Sequence, residues 1–303
     1  MKRTMLLAAL VTAGTLSMVV TAYQPPPAPA GPKVIDIEKL RDNLYVLTSS
    51  TPGNPATFSG GNVAVFITAN GVTLVDDKLA GWGQTVLDKV KSVTDKPVTR
   101  IINTHTHGDH TGNNGFFGAS VEIVAHENTK ANMTKMPAFA GENAKFLPAK
   151  TYQDKMTLGS GKEQIDLYYF GKGHTNGDTW VVFPALRVLH TGDMYPWKDG
   201  PNCDRSNGGS CVDYPRTLQK AIAGVKNVDT VIPGHSPIAT PKDLQTFQSF
   251  VADLLSHGTN EMKAGKSVDE AVASFKVDKY PGYKNERVKV AMQNIYDELK
   301  GTK

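Results

Sequence analysis

The chain has 303 residues and a mass of 32.7 kDa, with 40% hydrophobic and 20% charged residues. This composition predicts a globular protein with a sizeable core, folded as one large domain or as two closely packed halves. Lys2 and Arg3 are the only charged residues in 1–22, so removal of that segment would lower the formal net charge from +4 to +2. A net charge of +2 is too small to support a nucleic-acid or anionic-membrane partner.

The N-terminal 22 residues have the pattern of a secretory signal peptide. Two basic residues precede an apolar run at 5–20, and Val20-Thr21-Ala22 offers small residues for cleavage. The alternative is an uncleaved membrane anchor, but a span usually needs about 20 apolar residues. We therefore predict a periplasmic or secreted protein without stable membrane association after cleavage. A proline-rich linker is predicted at 23–33, followed by a single folded domain at 34–303.

Short apolar runs predict strands through the first third of the chain, at residues 34–37, 44–48, 63–68, 72–75 and 100–104. A helix is predicted at 84–91. In the second half the predicted strands are 164–170, 179–183, 188–189 and 228–232, with a helix at 214–225 and a mostly helical tail from 241. Two such halves predict an α/β protein, an αββα sandwich of two mixed β-sheets flanked by helices. The apolar residues of 133–150 show no clear periodic spacing, and this segment is predicted to form an inserted loop.

The stretch T-H-T-H-G-D-H at 104–110 contains three histidines and an aspartate within six positions. In an extended segment after the strand, His105, His107 and Asp109 would project to one side, and the loop would turn His110 inward. Four ligands so close together are difficult to accommodate around one tetrahedral ion. The stretch therefore predicts two adjacent metal ions.

Further ligand candidates follow other apolar runs, namely His174, Asp193 and His235. The full set resembles the metallo-β-lactamase fold superfamily, whose H-x-H-x-D-H motif matches residues 105–110. The resemblance covers roughly residues 34–240 and includes Asp76 at the end of an earlier strand. It implies that His105, His107 and His174 bind one metal ion.

The same resemblance implies that Asp109, His110 and His235 bind the second ion and that Asp193 bridges the two. Imidazole and carboxylate ligands suit Zn²⁺, with iron or manganese as alternatives. Asp76 is expected to orient a ligand histidine. Asp109 is either a ligand alone or also the catalytic residue that orients or deprotonates the nucleophile.

Two divalent cations would generate a metal-bound hydroxide for attack on a carbonyl group. We therefore expect an exported hydrolase of a small ester, lactone, thioester or amide. The resemblance implies that β-lactamases of this superfamily carry Cys or Ser where this chain has Asp193, whereas related thioesterases and lactonases carry Asp. A β-lactamase and a non-catalytic metal-binding protein on the same fold stay open as alternatives.

Aromatic residues near the predicted ligands are candidates for a hydrophobic substrate rim, namely Phe58, Phe139, Tyr195 and Trp197. The alternative is that they only pack the loops against the core.

Cys203 and Cys211, the only cysteines, flank a Gly/Ser-rich segment, and export favours a disulfide between them over two free thiols. His126, His190 and His257 lie outside the ligand pattern, and we predict a packing role for His190.

Overall fold

Two mixed β-sheets form the centre of the protein in a computed structural model, which describes residues 35–49 and 57–301. The first sheet contains β1 (Ile35–Arg41), β2 (Leu44–Ser49), β3 (Val63–Thr68), β4 (Gly71–Val75), β5 (Val98–Ile102), β6 (Glu122–His126) and β7 (Lys150–Tyr152), in that spatial order. Strands β1 to β4 pair antiparallel, and β4 to β7 pair parallel. The predicted signal peptide and linker lie outside the described residues.

The second sheet contains β8 (Lys155–Leu158), β9 (Ile165–Tyr168), β10 (Trp180–Phe183), β11 (Val188–Gly192) and β12 (Thr230–Pro233). Its spatial order is β12-β11-β10-β9-β8, with β11 and β12 parallel and the other pairs antiparallel. The helices are α1 (Gly83–Lys91), α2 (Gly108–Thr111), α3 (Asn114–Phe117), α4 (Glu127–Met133), α5 (Tyr214–Gly224), α6 (Pro241–Lys263), α7 (Val268–Ser274) and α8 (Val288–Leu299).

The two-residue period of the strands assigns the layers of the sandwich. In β3, Ala64 and Phe66 face the second sheet, where Phe66 packs on Phe183 with ring centroids 5.0 Å apart. The alternate residues of β3 face outward and pack with α1. On the second sheet, Trp180 and Val182 point away from the first sheet and pack against α5, α6 and α8. The predicted αββα fold is thereby confirmed.

Capping residues determine where the C-terminal helices begin. Thr240 and Asp243 form a reciprocal capping box at the start of α6, and Pro241 occupies its first turn. Ser267 and Glu270 repeat the capping box at α7. None of the helices in the described ranges combines the length and the apolar character that a membrane span requires.

Three strands were not predicted, because their sequence signal is weak. Strand β6 has only five residues and runs directly into α4, while β7 and β8 are short strands with mostly polar or exposed residues. The predicted loop at 133–150 contains two short 3₁₀ helices at 137–139 and 141–146 and then enters β7. The other strands in the described ranges follow the predicted elements, with boundaries that differ by a few positions, whereas the short helices α2, α3 and α4 were not predicted.

Candidate metal centre

Seven histidine and aspartate side chains meet at one edge of the sandwich, each supplied by the segment that follows a strand. His105 and His107 follow β5, His174 follows β9, and Asp193 and His235 follow β11 and β12. Asp109 and His110 lie in α2, a single helical turn that follows His107. The expected extended path thus ends at His107, and Asp109 reaches the cluster from a helix.

Three histidines form the first group of ligand atoms. His107 Nδ1 lies 3.1 Å from His105 Nε2 and 2.9 Å from His174 Nε2. All three nitrogens lie within 4.8 Å of one another. A tetrahedral Zn²⁺ with Zn–N bonds of about 2.0–2.1 Å holds its nitrogens about 3.3 Å apart. The spacing of this group therefore suits one metal ion.

The outward nitrogens of this group show which ring nitrogens carry the protons. His107 Nε2 donates to Asp204 Oδ2 at 2.7 Å, and His174 Nδ1 donates to the Asn202 carbonyl at 2.8 Å. A neutral imidazole carries one proton, so the inward nitrogens of both rings present lone pairs. Lone pairs that face one another across 2.9–3.1 Å repel unless a cation lies between them.

The second group contains Asp109, His110 and His235. His110 Nε2 and His235 Nε2 lie 3.2 Å apart, and Asp109 Oδ2 lies 3.6 Å and 3.4 Å from them respectively. His110 Nδ1 donates to Asp76 Oδ2 at 2.7 Å, which leaves a lone pair on its inward nitrogen. The spacing of these three ligand atoms therefore suits a second metal ion.

Asp193 lies between the two groups. Its Oδ2 is 3.5 Å from His174 Nε2 and 3.2 Å from His235 Nε2, while its Oδ1 is 3.4 Å from His110 Nε2. Oδ1 is buried and accepts no hydrogen bond from the described residues. A buried carboxylate oxygen without a donor is costly, and a shared cation would satisfy it.

Asp76 lies behind both groups and links them. Its Oδ1 accepts the Thr104 backbone N–H at 2.7 Å, and its Oδ2 accepts Thr104 Oγ1 at 2.8 Å as well as His110 Nδ1. Because the Thr104 hydroxyl donates to Asp76, its oxygen accepts from His105 Nδ1, 2.9 Å away. Asp76 thus orients His110 directly and His105 through Thr104, leaving both inward nitrogens free to bind.

Burial biases His105 and His174 toward the neutral form that binds cations, whereas for His107 and His110 the neighbouring carboxylates outweigh burial and raise the pKa of both rings. Burial holds the pKa of His105 well below its ordinary value and lowers the pKa of His174 to about 4, so both rings are neutral. Burial acts to raise the pKa of Asp193, but the adjacent His235 and His110 hold that pKa well below its usual range. Neutral imidazole and ionised carboxylate are the forms that ligate metals.

Asp204 is a residue of this site that the sequence analysis missed. It contacts His107 across 97 positions of sequence, and its pattern Asp-x-Ser-Asn predicts only a local turn. The hydrogen bond from His107 holds the pKa of Asp204 well below its ordinary value. Asp204 adjoins Cys203, which forms a disulfide with Cys211.

The three remaining histidines have other partners. His190 is fully buried, its Nδ1 accepts the Gly192 N–H, and its Nε2 lies 3.2 Å from the Asn62 carbonyl. His126 caps the start of α4, and His257 contacts the Ala271 carbonyl. Within the described ranges none of the three joins a ligand group.

Two of the four predicted rim residues lie beside the cluster. Phe58 and Trp197 each lie with the ring centroid 5.7 Å from that of His235. The prediction for Tyr195 is wrong, because this residue is fully buried and packs on Phe247 in the core behind the second sheet. Phe139 is only 6% exposed, so it offers little surface to a substrate.

A cavity of about 540 Å³ adjoins the cluster at His235. Trp197 lines it, and the guanidinium carbon of Arg287 lies 4.0 Å from the centroid of the Trp197 ring. The Arg287 backbone N–H donates to the Asp199 carboxylate at 3.2 Å, and Asp199 and Glu286 also line the cavity. Arg287 is exposed and lies in the segment between α7 and α8.

Two glycines leave room for ligand side chains. A Cβ at Gly61 would overlap the His110 ring, and a Cβ at Gly234 would overlap Asp193 Oδ1. We expect Gly234→Ala to displace Asp193, destabilise the protein by about 1–3 kcal/mol and weaken metal binding. Thermal unfolding and metal titration measure both effects.

The matched control is Gly108→Ala, because a Cβ at Gly108 meets open space. This variant is expected to change stability by no more than about 0.5 kcal/mol. Equal effects of the two substitutions would show that close packing at Gly234 does not constrain Asp193.

The fold and the cluster together define an αββα protein with two adjoining groups of side chains that could hold metal ions. Residues 56–235 match the Metallo-beta-lactamase superfamily. The chain therefore belongs to this superfamily and is a metal-dependent hydrolase. The matched region ends at His235, so α6, α7, α8 and Arg287 lie beyond it.

Individual relatives agree with this assignment. A metallo-beta-lactamase type 2 from Elizabethkingia meningoseptica is 29% identical over 238 residues, covering 76% of this chain and 88% of the relative. One from Bacillus cereus is 26% identical over 215 residues, covering 67% of this chain and 77% of the relative. The solved metallo-beta-lactamase from Pontibacter korlensis shares the fold with a TM-score of 0.60 at 22% identity, covering 72% of this chain and 99% of that one.

Proposed function

We propose that the protein is an exported dinuclear hydrolase, with zinc as the expected metal, that cleaves a small ester, lactone, thioester or amide. The observation that carries the proposal is the convergence of unprotonated ligand atoms in two adjoining groups, with Asp193 Oδ2 3.5 Å from one histidine and 3.2 Å from the other. Two divalent ions held there would lower the pKa of a water molecule and polarise a carbonyl oxygen. Imidazole-rich sites favour zinc over magnesium or calcium.

The residues divide the remaining work of the reaction. One ion would be held by His105, His107 and His174, the other by Asp109, His110 and His235, and Asp193 would contact both. The Asp109 side chain is 22% exposed, whereas that of Asp193 is 5% exposed. Asp109 is thus the carboxylate that an attacking water can reach, and we assign it orientation of that water and acceptance of its proton.

The substrate would lie in the cavity beside His235, with its apolar part on Phe58 and Trp197. Arg287 would contact an anionic group of the substrate at the far side of the Trp197 ring. We expect Arg287→Ala to raise KM roughly tenfold for a carboxylate-bearing substrate, since hydrogen bonds to charged groups contribute about 1.5–3 kcal/mol. Steady-state kinetics on a carboxylate-bearing substrate and its methyl ester measure this effect.

The methyl ester serves as the control, because it offers no charge to Arg287 and its KM should stay within about twofold. Arg287→Lys keeps the charge without the planar group that stacks on Trp197, so we expect an intermediate KM. Equal losses for both substrates would remove Arg287 from substrate recognition.

The proposed function is tested by metal analysis followed by a panel of lactone, thioester, aryl ester and β-lactam substrates, each with a chelator control. We expect about two equivalents of metal per chain and chelator-sensitive turnover of at least one carbonyl substrate. A fully metallated protein that hydrolyses none of them would support the alternative, a non-catalytic metal-binding protein.

β-Lactam hydrolysis is the second candidate function. The observation that favours it is the relationship to proteins named metallo-beta-lactamase, among them the one from Elizabethkingia meningoseptica. A β-lactam is a cyclic amide and therefore falls within the proposed reaction class. Against it, Asp193 stands where the resemblance leads us to expect Cys or Ser in such enzymes. The kcat/KM values of the panel decide between the substrates.

Export is proposed from the N-terminal sequence and agrees with the disulfide, because disulfides persist in oxidising compartments. N-terminal sequencing of the mature protein tests the cleavage predicted after residue 22. A small-molecule substrate rather than nucleic acid is proposed from the low net charge.

A further inference from the structure

The loop closed by the Cys203–Cys211 disulfide contacts the three-histidine group from outside. The Cα atoms of the two cysteines lie 5.5 Å apart, and Asp204, the residue after Cys203, accepts a hydrogen bond from His107 Nε2 at 2.7 Å. We propose that this disulfide-closed loop positions His107 and His174 for metal binding, so that metal affinity at the three-histidine group depends on the disulfide. The inference rests on the proposed metal centre but not on hydrolysis.

The Asp204 carboxylate is fixed by the loop itself. Its Oδ1 accepts the backbone N–H groups of Ser206 and Asn207 at 3.0 Å and 3.3 Å. Its Oδ2 accepts the Asn207 side-chain amide at 2.6 Å in addition to His107. The carboxylate therefore has one orientation, and that orientation places a hydrogen-bond acceptor on the outward nitrogen of His107.

The loop also binds the His174 segment through the backbone. The Asp204 N–H donates to the His174 carbonyl at 2.8 Å, and the Ser210 N–H donates to the Gly173 carbonyl at 2.9 Å. The Asn202 carbonyl, just before the disulfide, accepts from His174 Nδ1. Two of the three histidines in the first group thus depend on this loop for their orientation.

Both ends of the loop are anchored where the disulfide lies. Cys203 and Cys211 are buried, and the Cys211 N–H donates to Glu298 of α8 at 2.7 Å. Between them, Gly208 and Gly209 provide few conformational restraints, and Gly208 has a φ of 73°. The disulfide is therefore the covalent restraint that closes this glycine-containing segment and keeps Asp204 in contact with the histidines.

Disulfide formation would link metal loading to export. Closing the bond removes two protons and two electrons from the thiols, which an external disulfide oxidant accepts by thiol–disulfide exchange. Before closure the loop lacks its covalent restraint, and the three-histidine group would bind metal more weakly. A carboxylate that orients a ligand histidine typically contributes 10–100-fold in metal affinity, so we expect an effect of about that size.

The test compares stepwise Zn²⁺ dissociation constants, measured by chelator competition, for the wild type, Asp204→Ala, Asp204→Asn and the double variant Cys203→Ser/Cys211→Ser. We expect Asp204→Ala and the double serine variant to weaken one dissociation constant by about 10–100-fold and to leave the other within about threefold. Asp204→Asn keeps the disulfide and the shape of the side chain but not its charge, and we expect a loss of about tenfold. Asp229→Asn, which changes a surface carboxylate paired with Arg41 and Arg187, is the matched control.

Imidazole ¹⁵N spectra assign the weakened constant to a group of ligands. In the wild type we expect His107 to bind through Nδ1 with a slowly exchanging Nε2 proton, and in Asp204→Ala we expect that proton to exchange rapidly. Asp204→Asn tests the contact with His107 while the disulfide is intact. If the double serine variant does not fold, the wild type with its disulfide reduced tests the dependence on the bond, and an unchanged zinc affinity after reduction would overturn it. A wild type that binds two ions and variants that bind them equally well would overturn this inference alone. A wild type that binds no zinc would overturn the proposed metal centre as well.

Discussion

Chelation of the bound metal is expected to abolish hydrolysis and to lower the thermal unfolding midpoint, and added zinc is expected to restore both. Without a cation, the lone pairs of His105, His107 and His174 face one another at 2.9–3.1 Å, and the Asp193 carboxylate is buried beside them. A ligand present at 1,000 times its dissociation constant stabilises the folded state by about 4 kcal/mol. This corresponds to a midpoint shift of roughly 10 °C in a chain of this size. Calorimetry and activity assays on the same samples measure both.

Two controls separate metal ligation from general destabilisation. His105→Gln is expected to behave like the chelated protein. His257→Gln should bind zinc normally, because His257 contacts Ala271, Ser274 and Phe275 and belongs to neither ligand group in the described structure. Magnesium should not restore activity to the chelated protein, since this ion prefers oxygen ligands. Full activity and an unchanged midpoint after removal of all metal would contradict the proposal.

The second large effect is expected for Asp76→Ala. This carboxylate accepts hydrogen bonds from the Thr104 backbone, the Thr104 hydroxyl and His110 Nδ1, all in a fully buried position. Its removal leaves these donors unpaired, and each buried unpaired group costs about 1–3 kcal/mol. We therefore expect a loss of stability of about 2–5 kcal/mol and weaker binding of both metal ions, by about 10–100-fold. Denaturant unfolding and zinc competition provide the two measurements.

Asp77→Asn is the matched control for this substitution. Asp77 is the next residue and is also buried, but its carboxyl group accepts from the Asn113 N–H rather than from a metal-binding segment. Burial raises the pKa of Asp77 well above its ordinary value, so burial favours the neutral carboxyl group, which an amide resembles. Zinc affinity should therefore stay within about twofold of the wild type. Equal losses for both variants would mean that Asp76 acts only through stability.

The sequence was a good guide to the fold where the hydrophobic pattern is regular. Helix α6 has 23 residues, its buried apolar residues recur with helical spacing, and a capping box marks its start. Strand β3 is a continuous apolar run that ends just before the Ala69-Asn70 turn. Strands β7 and β8 escaped prediction because short segments with few apolar residues are stabilised by pairing with neighbours rather than by their own pattern. Strand β6 is apolar, but its run of three apolar residues at 123–125 is too short to identify a strand.

That these candidate ligands meet in one cluster was predictable, because ligand chemistry restricts the side chains to histidine and aspartate, and most of the candidates follow an apolar run that predicts a strand. The rim was less predictable. Tyr195 and Trp197 are two positions apart and both aromatic, yet Tyr195 is fully buried against Phe247 whereas Trp197 reaches the cavity and stacks with Arg287. Which aromatic residue faces a substrate depends on the conformation of the loop, and the residue type alone does not predict that conformation.

The sequence by itself determined the αββα fold and the types of side chain that meet at its edge, because both follow from local hydrophobic period and local chemistry. Only the tertiary structure placed Asp76 behind two histidines, Asp204 on the outward nitrogen of His107, and Arg287 over Trp197. These contacts join residues far apart in the chain. Their partners are selected by the packing of whole layers and loops, which no local pattern in the sequence encodes.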